Sequence, residues 1–172
     1  MSPTRSEAAA PPVIDIVPAA GETDIEDDRA RFREYADFLD FSLCFQDFER
    51  ELAELPGLYA PPAGWLWLAR VDGAVAGCVG LRPYGEGKCE MKRLYLRDGA
   101  RGLGLGRRLA DLTVDAAVEI GYDVMRLDTA PKLATAIALY RGMGFVEVSE
   151  PQPEGAPTGL LVFEKRLRAE AG

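Results

Sequence analysis

A chain of 172 residues, 48% hydrophobic and 28% charged, is the size of one domain and can bury a core; no apolar run in it approaches the ~20 residues of a membrane span. A formal net charge of −8 argues against a nucleic-acid phosphate backbone as partner. There is no histidine, and Cys44, Cys78 and Cys89 form no CxxC pair, which leaves no zinc set, no disulfide framework and no Ser-His-Asp or Cys-His machinery.

Residues 1–12 are small and proline-rich, with no apolar stretch behind Arg5, and read as a flexible tail and not a leader. Residues 13–172 then form one domain, cytoplasmic by default. Val13–Val17 alternates in strand fashion. Ile25, Phe32, Tyr35, Phe38 and Leu39 recur at helical spacing and predict a helix over 25–39. A second helix is predicted from Phe45 to about Leu55, stopped by Pro56-Gly57. Acidic residues gather at Glu22, Asp24, Glu26, Asp27 and Asp28, and again over 37–54. They read either as a solvated helix face or as a field that attracts a cationic amine.

Trp65–Ala69 and Ala74–Leu81 flank Asp72-Gly73, a strong hairpin signal. Cys89–Leu96 is a further strand and 97–102 a loop. Leu105, Leu109, Leu112, Ala116 and Ile120 then share one face of a helix that Gly121 ends. Val124–Asp128 reads as a short strand and Leu133–Arg141 as a short helix. Phe145–Val148 and Leu160–Glu164 close the chain as strands, joined across the Pro/Gly-rich 151–159. This order describes a mixed α/β domain: one sheet of six to seven strands with about four helices.

The loop Arg101-Gly102-Leu103-Gly104-Leu105-Gly106 follows a strand and opens an amphipathic helix. Alternate glycines permit positive φ and close backbone approach. The first N–H groups of a helix lack intrahelical partners and sit at its positive end. With Arg101, Arg107 and Arg108 nearby, these features make a cradle for a pyrophosphate. A glycine-rich turn that merely lets strand and helix pack is the other reading. The spacing excludes a Walker loop, because Arg107-Arg108 stand where Lys-Ser/Thr is required, and the G-x-G-x-x-G dinucleotide fingerprint also fails.

Arg101-x-x-Gly104-x-Gly106 resembles the R/Q-x-x-G-x-G/A coenzyme A signature of the GCN5-related N-acetyltransferase (GNAT) superfamily. Glu90–Leu96 looks like that family's bulged strand. Ala136-Ile-Ala-Leu-Tyr140-Arg-Gly-Met-Gly144-Phe145 is similar to its A-I-x-L-Y-x-x-x-G-F segment. The resemblance spans about residues 88–148 and implies the GNAT fold. It implies acetyl-CoA as co-substrate, with no metal, and direct attack by an amine within a ternary complex. Two neighbouring parallel strands, 89–96 and 124–129, are expected to splay around the pantetheine arm, with main-chain groups of Leu94 and Leu96 pairing to it. Gly102, Leu103, Gly104, Leu105, Gly106 and Arg107, with Arg101, are the expected phosphate site.

The same resemblance assigns Tyr140 as proton donor to the leaving thiolate, against a reading as core packing with its hydroxyl at the rim. An amine of pKa ~10.4 is neutral in only about one molecule in a few thousand at pH 7, so a base helps. Glu90 is the candidate, by its resemblance in placement to the family's catalytic glutamate. A carboxylate paired with Lys88 or Lys92 is the alternative, as is proton loss through a water chain. The family's Asn seven positions before the tyrosine is Leu133 here, so that cofactor contact is either absent or supplied by a neighbour such as Lys132. The acceptor is a small-molecule or peptide amine, its site expected among the early helices and hairpin. No nucleic acid or membrane partner is expected, and a homodimer is compatible with the sequence. A non-catalytic acyl-CoA-binding module shares the glycine loop but has no need of Tyr140 and Glu90.

Overall fold

The computed structural model describes residues 10–39, 41–43 and 46–168. Among them, β1 (Ile14–Pro18), β2 (Trp65–Val71), β3 (Ala74–Pro83), β4 (Lys88–Leu96), β5 (Val124–Thr129), β6 (Val146–Val148) and β7 (Leu161–Arg166) form one sheet in the order β1-β2-β3-β4-β5-β7-β6. All pairings are antiparallel except β4 with β5. The helices are α1 (Gly21–Phe38), α2 (Phe48–Glu54), α3 (Leu105–Ile120) and α4 (Ala134–Gly142). This is the mixed sheet and helix complement that the residue pattern predicts.

Strand β2 shows why the sheet is buried on both faces. Its Leu66 and Leu68 pack with Phe32 of α1 and Leu52 of α2. Trp67 and Ala69, pointing the other way, pack with Leu105 and Leu109 of α3. Each fully buried leucine contributes about 1.5–3 kcal/mol. The turn between β2 and β3 places Asp72 (φ 50°) and Gly73 (φ 83°) in the left-handed region, as the Asp-Gly signal requires. Helix α1 starts at Gly21, ahead of the expected Ile25. Glu22 and Asp24 favour the positive end of the helix, and the Asp24 carboxylate accepts the Ala20 N–H at 2.9 Å. Phe45, the expected start of α2, lies outside the described residues, as do Cys44 and residues 1–9 of the expected tail. No helix among the described residues is long and apolar enough to cross a membrane.

Two irregularities shape the centre of the sheet. First, β3 pairs Gly80 with Lys92 and Cys78 with Tyr95, so two steps on β3 face three on β4. The extra residue is a bulge, with Arg93 at φ 59°. It reverses the alternation of β4: Cys89 and Met91 before it, and Leu94 and Leu96 after it, all join the core on the α3 side. Lys92 and Arg93, though adjacent, both donate to Gln46 Oε1, at 3.0 and 2.9 Å. The freed Arg93 carbonyl accepts the Cys78 thiol at 3.3 Å. Second, β4 and β5 pair only at Lys88–Val124, Cys89–Met125 and Glu90–Arg126. Beyond these rungs the two strands separate into a fork.

Candidate active site

The fork opens into a cleft of about 580 Å³. Its floor is Leu94 and Leu96 of β4, and one wall is the loop and first turn of α3, from Arg101 to Arg107. Helix α4 closes the other side with Leu133, Ala136 and Leu139. Past the last rung, main-chain groups of β4 on the β5 side have no ladder partner there, the condition under which a chain of amides can pair with them.

Gly102 (φ 82°) and Gly104 (φ 74°) both take the left-handed conformation, which turns the chain into α3. Gly104 is the N-cap and has no side-chain oxygen to give. The first intrahelical bond runs from Arg108 N to Gly104 O at 3.2 Å, so the amides of residues 105–107 lie ahead of the helical ladder. A Cβ on Gly102 or Gly104 would meet nothing within 4 Å. The space beside these two loop glycines is open. Arg101 lies over the Phe38 ring at 5.0 Å and pairs with exposed Asp98 at 3.0 Å. Arg107 pairs with Asp111. Lys132 lines the same cleft, above the Phe38 ring at 5.5 Å. These residues fit the diphosphate of a coenzyme A species. Of the predicted phosphate site, only Leu103 stands aside: it does not line the cleft, and its side chain is 37% exposed.

A second cavity, about 30 Å³, sits in the fork itself and shares Tyr35, Leu94, Leu133 and Ala136 with the cleft. Tyr140 lines it. Burial pushes the Tyr140 phenol well above its ordinary value, and Tyr35 and Asp128 push it further, so it stays protonated through the neutral range. Tyr35 is likewise pushed up to about 12, chiefly by burial. The Tyr140 ring is fixed edge-on to Phe145 at 5.8 Å.

A third cavity of about 280 Å³ shares Lys92 and Asp128 with the fork cavity. Glu90 lines it, 1% exposed. Its Oε1 accepts Arg82 Nε at 3.0 Å and its Oε2 accepts Arg126 Nη1, with Lys92 Nζ at 3.9 Å. The partner is therefore a pair of guanidiniums, and neither Lys88 nor, at hydrogen-bond distance, Lys92; Lys88 pairs with Glu164. Asp128 lies 3.6 Å from Lys92 Nζ and 3.7 Å from Arg126 Nη1. Burial would raise Asp128, but Lys92, Arg126 and Arg93 outweigh it and hold the carboxyl below its ordinary range. Burial holds Lys92 below its own, against the pull of Asp128 and Glu90.

This ionic network escaped the sequence reading, although charges at alternate positions of central strands, Glu90 and Lys92 in β4 and Arg126 and Asp128 in β5, are a signal for it. Asp24, Asp27 and Glu26, suggested as a field for a cationic amine, are paired with Arg70 and Arg29 and line none of these three cavities. Cys78 and Cys89 are buried thiols, both pushed up by burial, Cys89 to about 12. Among the described residues no three His, Cys, Asp or Glu side chains are grouped to hold a metal.

The family profile described as "Acetyltransferase (GNAT) family" matches residues 25–145. An uncharacterized N-acetyltransferase of Schizosaccharomyces pombe is 39% identical over 130 residues, covering 74% of this chain and 79% of its own. A GNAT acetyltransferase of Staphylococcus aureus shares the fold at TM-score 0.72 and 21% identity, over 91% of this chain and all of its own. An N-acetyltransferase of Thermoplasma acidophilum, solved in complex with coenzyme A, superposes at TM-score 0.68 and 18% identity, over 90% of this chain and 99% of its own. A profile match over most of the chain and a relative 39% identical across three-quarters of it show that the chain belongs to the GNAT acetyltransferase family.

Proposed function

We propose that this protein transfers the acetyl group of acetyl-CoA to a primary amine, with both substrates bound at once. The observation that carries this reading is the run of three adjoining cavities through one fork. The α3 amides lie at one end, Tyr140 in the middle, and a charged cavity at the other. Acetyl-CoA supplies an acetyl thioester: the amine nitrogen bonds to its carbonyl carbon, the C–S bond breaks with its electron pair on sulfur, and an amide and a free thiol result.

The residues divide the work as follows. Amides 105–107 and Arg101 hold the phosphates, and the unpaired edge of β4 aligns the arm. Tyr140, protonated and held edge-on to Phe145, donates to the departing sulfur. Glu90, the expected base, faces the acceptor cavity with both oxygens already accepting from Arg82 and Arg126. As a base it acts through water, and its first role is to brace Arg126. The proton shed by the amine balances the one taken up by the thiolate once the solvent resets Tyr140.

The test is calorimetry with acetyl-CoA, followed by thiol release across a panel of polyamines, aminoglycosides, amino acids and lysine peptides. Heat on binding and amine-dependent thiol are expected. No heat with any coenzyme A species removes the reading.

A further inference from the structure

We infer that the acceptor amine carries a carboxylate, and that the cavity of about 280 Å³ at the inner end of the fork is the subsite that reads it. This rests on the acetyl-transfer reading above and names the class of acceptor within it.

The inference starts from an inventory of donors and acceptors. Arg82, Lys92 and Arg126 line the cavity, together with Glu90, Asp128 and Glu150. Each carboxylate has its cation: Glu90 has Arg82 and Arg126, Asp128 has Lys92, and Glu150 accepts Arg126 Nη2 at 2.8 Å. The guanidiniums have donors to spare. Arg126 is 6% exposed and its Nε is buried with no hydrogen-bond partner. Arg93, 5% exposed and anchored through Gln46 to the same network, leaves its Nη2 in the same condition. Arg93 lines the fork cavity and not this one, so Arg126 is the unpaired donor at issue: leaving it so costs about 1–3 kcal/mol, a cost that an anionic oxygen reaching Arg126 removes. Arg126 is stacked on the Tyr84 ring at 4.4 Å and tied to Glu90 and Glu150, so its fork is oriented before any ligand arrives.

The same inventory disfavours a polyamine. The cavity's three cations and three carboxylates balance, and each carboxylate is already engaged by a cation, so a second ammonium finds no acceptor waiting, whereas Arg126 Nε is a donor without a partner. Asp128, at the border with the fork cavity, is placed to orient the one amino group that must reach the thioester beside Tyr140. Size agrees: about 280 Å³ lies just under the ~300–1,000 Å³ typical of drug-sized ligands, which suits an amine of amino-acid dimensions.

The experiment compares acceptors that differ only at the carboxylate, using the unmodified protein. Thiol release from acetyl-CoA is measured with the twenty amino acids, with their carboxamides and with spermidine, while calorimetry follows acetyl-CoA alone. At least one amino acid is expected to exceed its carboxamide by roughly 10²-fold in kcat/KM, since a site built around a charged acceptor rejects the analogue lacking it. Arg126→Gln should raise KM for that acid by roughly 10²-fold, leave KM for acetyl-CoA unchanged, and erase the preference over the carboxamide, with partial rescue by Arg126→Lys. Spermidine or the carboxamides serving as well as the acids overturns the inference while acetyl transfer stands. Acetyl-CoA heat with no amino acid acetylated also overturns it. Absence of that heat removes acetyl transfer itself, and this inference with it.

Discussion

Tyr140 and Glu90 were both legible as candidates in the sequence, and their surroundings separate them. Tyr140 sits in the fork cavity with its phenol raised by burial and, among the described residues, no carboxylate or guanidinium bonded to it, which suits a donor of one proton. Tyr140→Phe keeps the ring packing on Phe145 and removes only the hydroxyl. It is expected to lower kcat by ~10²-fold, with acetyl-CoA affinity by calorimetry and Tm unchanged. An unchanged kcat would sink the assignment. Glu90 is held by ion pairs, and which cations pair with it was not readable from its neighbours. Arg82 and Arg126 come from β3 and β5, eight and thirty-six positions away, and only the pairing of three strands brings them together.

At the scale of elements, the helix that opens at Leu105 was legible because a glycine pair and an amphipathic stripe are local signals. The glycines, however, are not equivalent. Gly104 holds a left-handed N-cap, so Gly104→Ala is expected to cost about 1–2 kcal/mol in urea denaturation, with weaker acetyl-CoA binding. Gly106 is helical, and a Cβ there meets Leu96 Cδ1 at 3.6 Å and Leu139 Cδ2 at 3.8 Å, ordinary contacts. Gly106→Ala should therefore be at least as stable as the parent protein. Equal losses for both variants would contradict this division. The β4 bulge entered the sequence reading only through resemblance. No local propensity marks Arg93 for positive φ; the bonds its guanidinium donates to Glu51 and Gln46 are tertiary. The early start of α1 was missed for a related reason: its first turn is polar and carries no apolar periodicity, and charge at the helix end decides it.

For the molecule as a whole, stability should depend on Asp28, a residue first noted only as part of an acidic run. It is fully buried in α1, and neither carboxyl oxygen has a hydrogen-bond partner. Burial, then Asp24 and Asp27, push it up to about 8. Between about 4 and about 8 the folded protein holds a proton that the unfolded chain releases. Its contribution is therefore full at the acid end and is lost as pH rises through about 8. Tm should fall between pH 6 and pH 8.5, and Asp28→Asn should flatten that slope and raise Tm at pH 8.5. A wild-type slope that persists in the variant would exclude Asp28 as its source.

The fork has a mechanical side. Only three rungs stitch the half of the sheet carrying α1 and α2 to the half carrying α4, with the Arg126–Glu90 pair fastened at the last of them. If the proposed function holds, a long, amide-bearing molecule threaded between β4 and β5 would take the place of the missing rungs, so that occupancy would tighten a seam already present with no segment needing to swing.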